Sequence, residues 1–354
     1  MLISGYSLDK MAEKVYISPL EIIPGYYYMA DKKQNINISG AILIIAILAS
    51  CSPKAQPAPT PDMGALATQM WVDLSVQQTL AAANPTATPL PTAAPTLIPT
   101  PTLLSTPLPV PADPENAPPV YNPVNNMELA YIPAGEFLMG SNPYDHDLDE
   151  NELPQHSVYL DAFWISKTQV TNAMFTACVN SGICKYSASL TTNPHYLDSL
   201  YANHPVVYVS WEMAQTYCHW TGGSLPTEAE WEKAARGTDG ARYAWGEERP
   251  RLKFVNAGNE YGTTSIVGSF PYGVSTYGVF DMGGNVREWV SDWFDPAYYQ
   301  YTPDRNPMGP ETGDKKVLKG ASFSDDIRYC RPSNRLAHEP VSPGNVRGFR
   351  CVYP

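Results

Sequence analysis

Lys319-Gly-Ala-Ser-Phe-Ser-Asp-Asp-Ile-Arg-Tyr-Cys330 and Asn345-Val-Arg-Gly-Phe-Arg-Cys-Val352 are the two stretches that decide the fold of this chain. Neither stretch shows the apolar spacing of a long helix or strand, and regular periodicity is nearly absent beyond residue 240. Backbone groups that are buried in irregular loops still need hydrogen-bond partners. The sequence therefore predicts a domain whose carboxy-terminal half is held by side-chain hydrogen bonds, disulfides or metal ions.

The composition separates the chain into a proline-rich part and a folded part. Of the 35 prolines, 13 lie among the 39 residues 85–123. Proline-rich sequence favours an extended polyproline conformation, so residues 51–126 are predicted to be a disordered stalk. Residues 127–354 are long enough to bury a core and are predicted to be one domain.

The charge of the chain excludes two classes of partner. The formal net charge is −12, and the charges are scattered along the sequence. The resulting field would oppose binding to nucleic-acid phosphates or directly to anionic lipid headgroups. We therefore expect no nucleic-acid partner, and contact with a membrane only through a covalent lipid anchor.

Residues 1–50 have the features of an export signal. Two lysines, Lys32 and Lys33, precede an apolar run at 42–49 that is too short to span a bilayer. Small residues then precede Cys51, as in a bacterial lipoprotein signal in which the cysteine is acylated after cleavage. An ordinary signal peptide or a membrane anchor with an incidental cysteine are the alternatives. Met29 would begin a signal of conventional length, so translation is expected to start there.

The segment that follows residue 127 contains recognisable helix and strand signals. Two short strands are predicted on either side of a Pro-Ala-Gly-Glu turn within 129–140. Three helices are predicted, capped at their first turns by Thr171, Ser210 and Thr227. The third has a capping box formed by Thr227 and Glu230, and Gly237 follows its last turn.

Six segments, in this order and spacing, resemble the formylglycine-generating enzyme, or sulfatase-modifying factor, family. They are Ile132-Pro-Ala-Gly-Glu-Phe-Leu-Met-Gly-Ser, Glu152-x-Pro-x-His156-x-Val-x-Leu, Gln169-Val-Thr-Asn172, His204-Pro-Val-x-Tyr-Val-Ser-Trp211, Leu225-Pro-Thr-Glu-Ala-Glu-Trp-Glu232 and Gly283-Gly-Asn-Val-Arg-Glu-Trp289. The resemblance implies an α+β fold of the C-type-lectin-like kind with little regular secondary structure and bound structural calcium. In active members two cysteines of the carboxy-terminal signature bind one copper ion and oxidise a cysteine in a Cys-x-Pro-x-Arg substrate.

The resemblance implies two calcium loops. The first would use the side chains of Asp281 and Glu288 with the carbonyls of Gly284 and Val286. The second would use the side chains of Asn256 and Asn259 with the carbonyls of Ala257 and Tyr261. Carboxylate, amide and carbonyl oxygens are the ligands that Ca²⁺ prefers. The alternative for the first loop is a polar turn in which Glu288 caps a strand or pairs with an arginine.

The cysteines of an exported chain are expected to pair. Cys178 and Cys184 are six residues apart across a predicted helix end, close enough to bridge a short loop. The resemblance implies a second disulfide between Cys218 and Cys351. With Cys51 acylated, Cys330 is left unpaired.

The resemblance fails at the copper site. Cys330 occupies the second thiolate position, but Asp325 stands at the first. Copper(I) prefers two thiolates, so bound Cu⁺ is not expected. Ser322, at a position that the active enzymes use, is retained.

Other chemistries have less support from the sequence. A nucleophilic Cys330 or Ser322 would need a positioned histidine. The nearest in sequence is His338, for which a surface position is the preferred interpretation. A two-histidine iron site is not expected, because the chain has only six histidines and no His-x3-His pair.

The leading hypothesis is a surface lipoprotein, extracytoplasmic and lipid-anchored. Its domain would act as a binding or accessory module for a peptide or glycan. The alternative is an active oxidase that uses Cys330 with another ligand, and a third possibility is a purely structural envelope protein.

Overall fold

The computed structural model describes residues 108–111 and 118–354. The predicted signal peptide, Cys51 and the stalk up to residue 107 lie outside the described residues, as do residues 112–117. Within the described parts, no helix has the length and apolar character needed to cross a membrane.

The folded part contains ten short strands in three sheets. The first sheet has the order β1-β2-β5-β10, β3 and β4 form a two-stranded ribbon, and the third sheet has the order β8-β7-β6-β9. The strands are β1 (Val120–Tyr121), β2 (Glu128–Ile132), β3 (Gly135–Met139), β4 (His156–Leu160), β5 (Phe163–Ser166), β6 (Arg287–Trp293), β7 (Lys316–Lys319), β8 (Leu336–His338), β9 (Arg347–Phe349) and β10 (Val352–Tyr353).

The first sheet joins the two ends of the domain. Its strand β10, at the carboxy terminus, pairs antiparallel with β5, which pairs with β2. The strand β1 adds to the other side of β2, with Val120 opposite Leu129. The fold thus begins before residue 127, the predicted boundary. The strand was missed because prolines at 118, 119 and 123 surround it and suggest stalk.

The third sheet combines antiparallel and parallel pairing. Strand β6 pairs antiparallel with β7 and parallel with β9. The parallel register places Arg287 opposite Arg347 and Glu288 opposite Gly348. Residues directly opposite one another project from the same face of a sheet. This short sheet therefore brings Arg287 and Arg347 to one face and Glu288 to the other.

The three predicted helices are confirmed, and a fourth, shorter helix lies between the first two. The helices are α1 (Asn172–Asn180), α2 (Ala188–Thr191), α3 (Trp211–Trp220) and α4 (Glu228–Arg236). Thr171 and Ser210 accept hydrogen bonds from the third backbone amide of α1 and α3. Helix α4 has the complete capping box of Thr227 and Glu230, and Gly237 ends it with a φ of 72°.

The core is apolar but contains several buried ion pairs. Trp231 of α4 and Trp289 of β6 are fully buried and lie in two different apolar clusters. Arg335 binds both carboxylate oxygens of Glu228, at 2.8 and 2.9 Å. Burial alone would raise the pKa of Glu228, but the Arg335 and Lys319 charges hold this pKa below its ordinary value. Such pairs tie the irregular carboxy-terminal loops to α4.

Both predicted disulfides are present. Cys178 and Cys184 bridge the end of α1, and Cys218 of α3 is joined to Cys351, 133 residues further on. Cys330 is the unpaired cysteine of the described residues and is buried. The longer bridge holds the carboxy-terminal tail against α3.

The two disulfides are expected to differ in their contribution to stability. Crosslinking restricts the unfolded chain more when it closes a longer loop. Replacement of Cys218 and Cys351 by alanine is expected to lower the free energy of unfolding by about 5 kcal/mol, and replacement of Cys178 and Cys184 by about 2 kcal/mol. Urea unfolding of the two double variants measures the difference. An equal or larger loss from the short loop would contradict the expectation.

Candidate functional site

Asp325 is held in place by the backbone and side chain of the residue three positions before it and by an arginine. One carboxylate oxygen accepts hydrogen bonds from the amide of Ser322 at 2.7 Å and from its hydroxyl at 2.6 Å. The same oxygen lies 2.9 Å from Nε of Arg287 on β6. Through this one oxygen the Asp325 carboxylate closes the turn at 322–325 and neutralises a buried arginine.

Cys330 lies outside this polar arrangement. Its side chain is fully buried against Tyr243, Phe254 and Ala321. Burial, and then the negative charge of Asp325, raise the pKa of the Cys330 thiol far above its ordinary value. The thiol is therefore neutral at physiological pH, whereas a copper(I) ligand or a nucleophile must be a thiolate.

The structure therefore brings together two of the three predicted catalytic residues, Ser322 and Asp325. The donors that are present do not match the two thiolates that copper(I) prefers, since one of them is a carboxylate engaged with Arg287. Asp326 caps the short helical turn at Ile327–Cys330 by accepting a hydrogen bond from the amide of Arg328.

A cleft of about 380 Å³ opens beside Asp325. We name it the arginine cleft, and its polar lining includes Arg287, Asp325, Tyr329, Arg335, His338 and Arg347. Its volume is within the range of clefts that hold small ligands. Cys330 does not line it. The cleft is therefore a candidate binding site that does not depend on the cysteine.

His338 contributes to this cleft. The ring is partly buried and makes an edge-on contact with Trp289, with ring centroids 6.2 Å apart. Burial, and then the positive charge of Arg347, lower the pKa of His338. The ring remains partly exposed at the wall of the cleft, in agreement with the preferred interpretation of a surface histidine.

In the first predicted calcium loop, oxygens converge on a nitrogen atom. The side-chain amide nitrogen of Gln169 lies 3.1 Å from the carbonyl of Gly284, 3.3 Å from that of Val286 and 2.9 Å from Glu288. Arg350 also binds both oxygens of Glu288, at 2.7 and 2.8 Å. A cation at the centre of this loop would have to displace Gln169. As arranged here, the loop fits the alternative of a polar turn with an arginine.

Asp281, the fourth predicted ligand of this loop, is buried and accepts a hydrogen bond from the amide of Gly268 at 2.7 Å. Burial raises its pKa to about 6, although Gly268 and the charge of Arg350 oppose this shift. A carboxylate that is buried with so little compensation would be stabilised by a nearby cation.

The second predicted calcium loop contains an oxygen without a partner. The amide nitrogen of Asn256 donates to the carbonyl of Thr263 at 2.9 Å and to the hydroxyl of Ser265 at 2.7 Å, which fixes the orientation of the side chain. Its amide oxygen is buried and has no hydrogen-bond donor among the described residues. An oxygen left in this way fits a hard cation.

The backbone of the second loop is tightly turned. Asn259 has a φ of 61°, and Gly258 and Gly262 have φ of 73° and 67°. These values are the left-handed conformation that asparagine and glycine tolerate best. These residues let the chain turn sharply between residues 258 and 262.

Sequence reasoning missed the arginines that organise these sites. All three arginines, Arg287, Arg347 and Arg350, lie within the quoted motifs, but the acidic partners of Arg287 and Arg350 are 38 and 62 residues away. The one available signal was Glu288, for which pairing with an arginine was considered without naming Arg350.

The comparisons with known proteins settle the family. Residues 116–354 match the family model of the sulfatase-modifying factor enzyme 1-like domain. The chain belongs to this family. The match covers the same residues in which the folded part was found, including strand β1.

The family domain is similar to both curated enzymes and solved structures. It is 33% identical over 298 residues to a formylglycine-generating enzyme of Streptomyces coelicolor, which covers 69% of this chain and 95% of that protein. It is 36% identical over 246 residues to the serine/threonine-protein kinase pkn1 of Chlamydia pneumoniae, covering 64% of this chain and 38% of the kinase. The structure of PvdO from Pseudomonas aeruginosa matches with a TM-score of 0.57 and 28% identity, covering 66% of this chain and 97% of PvdO.

These similarities confirm the predicted fold. The sulfatase-modifying factor domain combines short strands with four helices and long irregular connections. Similarity to an enzyme does not transfer its chemistry, because function depends on the residues at the site.

Proposed function

We propose that this sulfatase-modifying factor domain is a binding or accessory module rather than a copper-dependent oxidase. The observation that carries the proposal is the bonding of Asp325 to Ser322 and Arg287. A carboxylate with these partners stabilises the turn that would otherwise present a copper ligand. The accessible feature beside it is the arginine cleft, which can hold a ligand without any redox chemistry.

An active oxidase is the second candidate. It is favoured by the similarity to the Streptomyces coelicolor formylglycine-generating enzyme along almost the whole length of that protein. For such an activity, Cys330 would have to become exposed and lose its proton. Its burial and its raised pKa both oppose this change.

Copper binding distinguishes these two functions. We expect the native chain to bind no copper(I) and an Asp325→Cys variant to bind one ion per chain, because only the variant has two thiol groups at the family positions. Asp325→Ser is the matched control, since it loses the same ion pair but supplies no thiolate. Metal analysis after anaerobic loading with Cu(I) measures the difference. Stoichiometric copper in the native chain, with oxygen-dependent oxidation of a Cys-x-Pro-x-Arg peptide, would overturn the proposal.

We further propose structural calcium, bound at the loop of Asn256, Ala257, Asn259 and Tyr261. The unpartnered oxygen of Asn256 supports this site. For the loop at 281–288, calcium would require Gln169 to leave its present position. The ion would hold loop oxygens together and take no part in catalysis.

Removal of calcium is expected to lower the melting temperature. At a calcium concentration of about 100 times the dissociation constant, the ion contributes about 2.7 kcal/mol, or roughly 5–10 °C for a domain of this size. Scanning calorimetry of the full chain with a chelator, and with the same chelator preloaded with calcium, measures this contribution. Asn256→Ala should remove most of the effect. An unchanged melting temperature on chelation would refute the calcium site.

We also propose that the protein is a surface lipoprotein, acylated at Cys51 and located outside the cytoplasm. The two disulfides support an oxidising compartment. The lipid would be the protein's contact with the membrane, and the stalk would separate it from the domain.

Metabolic labelling with a fatty acid tests the anchor. In a bacterial host with a lipoprotein pathway, the native chain should carry the label and partition with membranes, whereas Cys51→Ser should lose both properties. Cys330→Ser is the matched control and should retain them. Label that remains on Cys51→Ser would show that this cysteine is not the acylated residue.

A further inference from the structure

Among the residues that the structure describes, Arg347 is a half-buried cation in the arginine cleft and has no acidic partner. Arg287 is paired with Asp325, and Arg335 is paired with both oxygens of Glu228. Within residues 118–354, no carboxylate lies within 4.0 Å of Arg347. Burial alone lowers its pKa, with no acidic group acting against this shift. When a guanidinium loses hydrating water without gaining an anionic partner, the free-energy cost of its desolvation is only partly offset.

The position of Arg347 is determined by its neighbours. One terminal nitrogen donates to Nε2 of His338 at 3.3 Å, and Nε is buried without an acceptor. The guanidinium also lies on the backbone of Gly344, where a Cβ atom would come within 2.6 Å of it. The absence of a side chain at residue 344 thus makes room for the charge at the wall of the cleft.

The rest of the cleft limits the ligand. Leu318, Leu336 and Val346 supply apolar surface beside the charged residues. Asp149 and Asp325 also line it, so a ligand with several negative charges would be repelled. The net charge of −12 opposes polyanions over a longer range. One negative charge beside an apolar group fits this lining.

We propose that the arginine cleft binds a monoanionic carboxylate that carries an apolar group, and that Arg347 pairs with the carboxylate. Such a group occurs at the carboxy terminus of a peptide and in small free acids. A guanidinium can donate two parallel hydrogen bonds to a carboxylate. The inference specifies the ligand chemistry of the binding module proposed above and rests on that proposal.

Paired acid and amide probes test this assignment on the full chain. N-acetyl-leucine and N-acetyl-leucinamide differ in the charge that Arg347 would recognise. We expect the acid to bind at least about tenfold more tightly than the amide, as measured by calorimetry or by chemical shifts. A pentapeptide that ends in leucine, compared with its amidated form, shows whether the natural source is a peptide terminus. Tighter binding by the peptide acid than by N-acetyl-leucine supports a peptide, and equal binding supports a small acid.

Variants locate the effect at Arg347. Arg347→Gln should remove the preference for the acid, whereas Arg251→Gln, which removes an exposed charge outside the cleft, should leave it unchanged. Gly344→Ala should weaken binding of the acid while the arginine is retained, because the added methyl group displaces the guanidinium. This second variant keeps the test valid if Arg347→Gln fails to fold.

Two results would overturn the inference. One is equal binding of acid and amide, or no binding of either, by the native chain. The other is a preference for the acid that persists in folded Arg347→Gln. Arg347 would then have only a structural role, through its packing against Gly344. Neither result concerns copper, so the proposed function could stand while this inference fails. Conversely, copper-dependent oxidation would overturn the proposed function whatever the acid preference.

Discussion

The buried ion pair between Arg350 and Glu288 is the interaction on which much of the domain depends. Arg350 binds both oxygens of Glu288 and also donates to the backbone carbonyls of Ser166, Lys167 and Phe280. Glu288 accepts a further hydrogen bond from the indole of Trp231 at 2.8 Å. Strands β5 and β6, helix α4 and the carboxy-terminal tail therefore meet at one pair of charges. Removal of either partner would leave the other buried without compensation.

Buried arginine–carboxylate pairs whose arginines also bind backbone carbonyls recur where regular strand hydrogen bonding is absent. Arg331 pairs with Glu152 and donates to the carbonyl of Asp147 at 2.5 Å. Arg335 pairs with Glu228 and donates to the carbonyl of Asn151 at 2.8 Å. Because a guanidinium has five donors, it can satisfy a carboxylate and still serve the carbonyls of a loop. A fold with few strands can in this way meet the requirement that buried backbone groups have partners.

The sequence predicted those features that depend on neighbouring residues. The capping box of Thr227 and Glu230 and the bridge between Cys178 and Cys184 involve groups three and six residues apart. The pairing of Arg350 with Glu288 spans 62 residues, and no local periodicity encodes it. The disulfide of Cys218 was predicted only through the family resemblance.

The candidate site was predicted in part for the same reason. The substitution of Asp325 for a cysteine could be read directly from the motif. Its bonding to Arg287 required the position of β6 beside the turn. Likewise the occupation of the 281–288 loop by Gln169 joins two motifs that were considered separately, 119 residues apart. The residue at each motif position could therefore be read from the sequence, whereas the partner that neutralises its charge depended on the folded topology.

Charge compensation also distinguishes the parts of the site. In a metal centre built from two thiolates, the negative charge of the ligands is available to neutralise the ion. The negative charge of Asp325 is already neutralised by Arg287. A carboxylate paired in this way stabilises the turn at 322–325. On the neighbouring parallel strand, Arg347 lies opposite Arg287 but has no acidic partner within the described part of the chain. The two arginines share one sheet face, but only the charge of Arg287 is neutralised by a carboxylate. Arg347 would therefore recognise the ligand, while Arg287 maintains the structure around it.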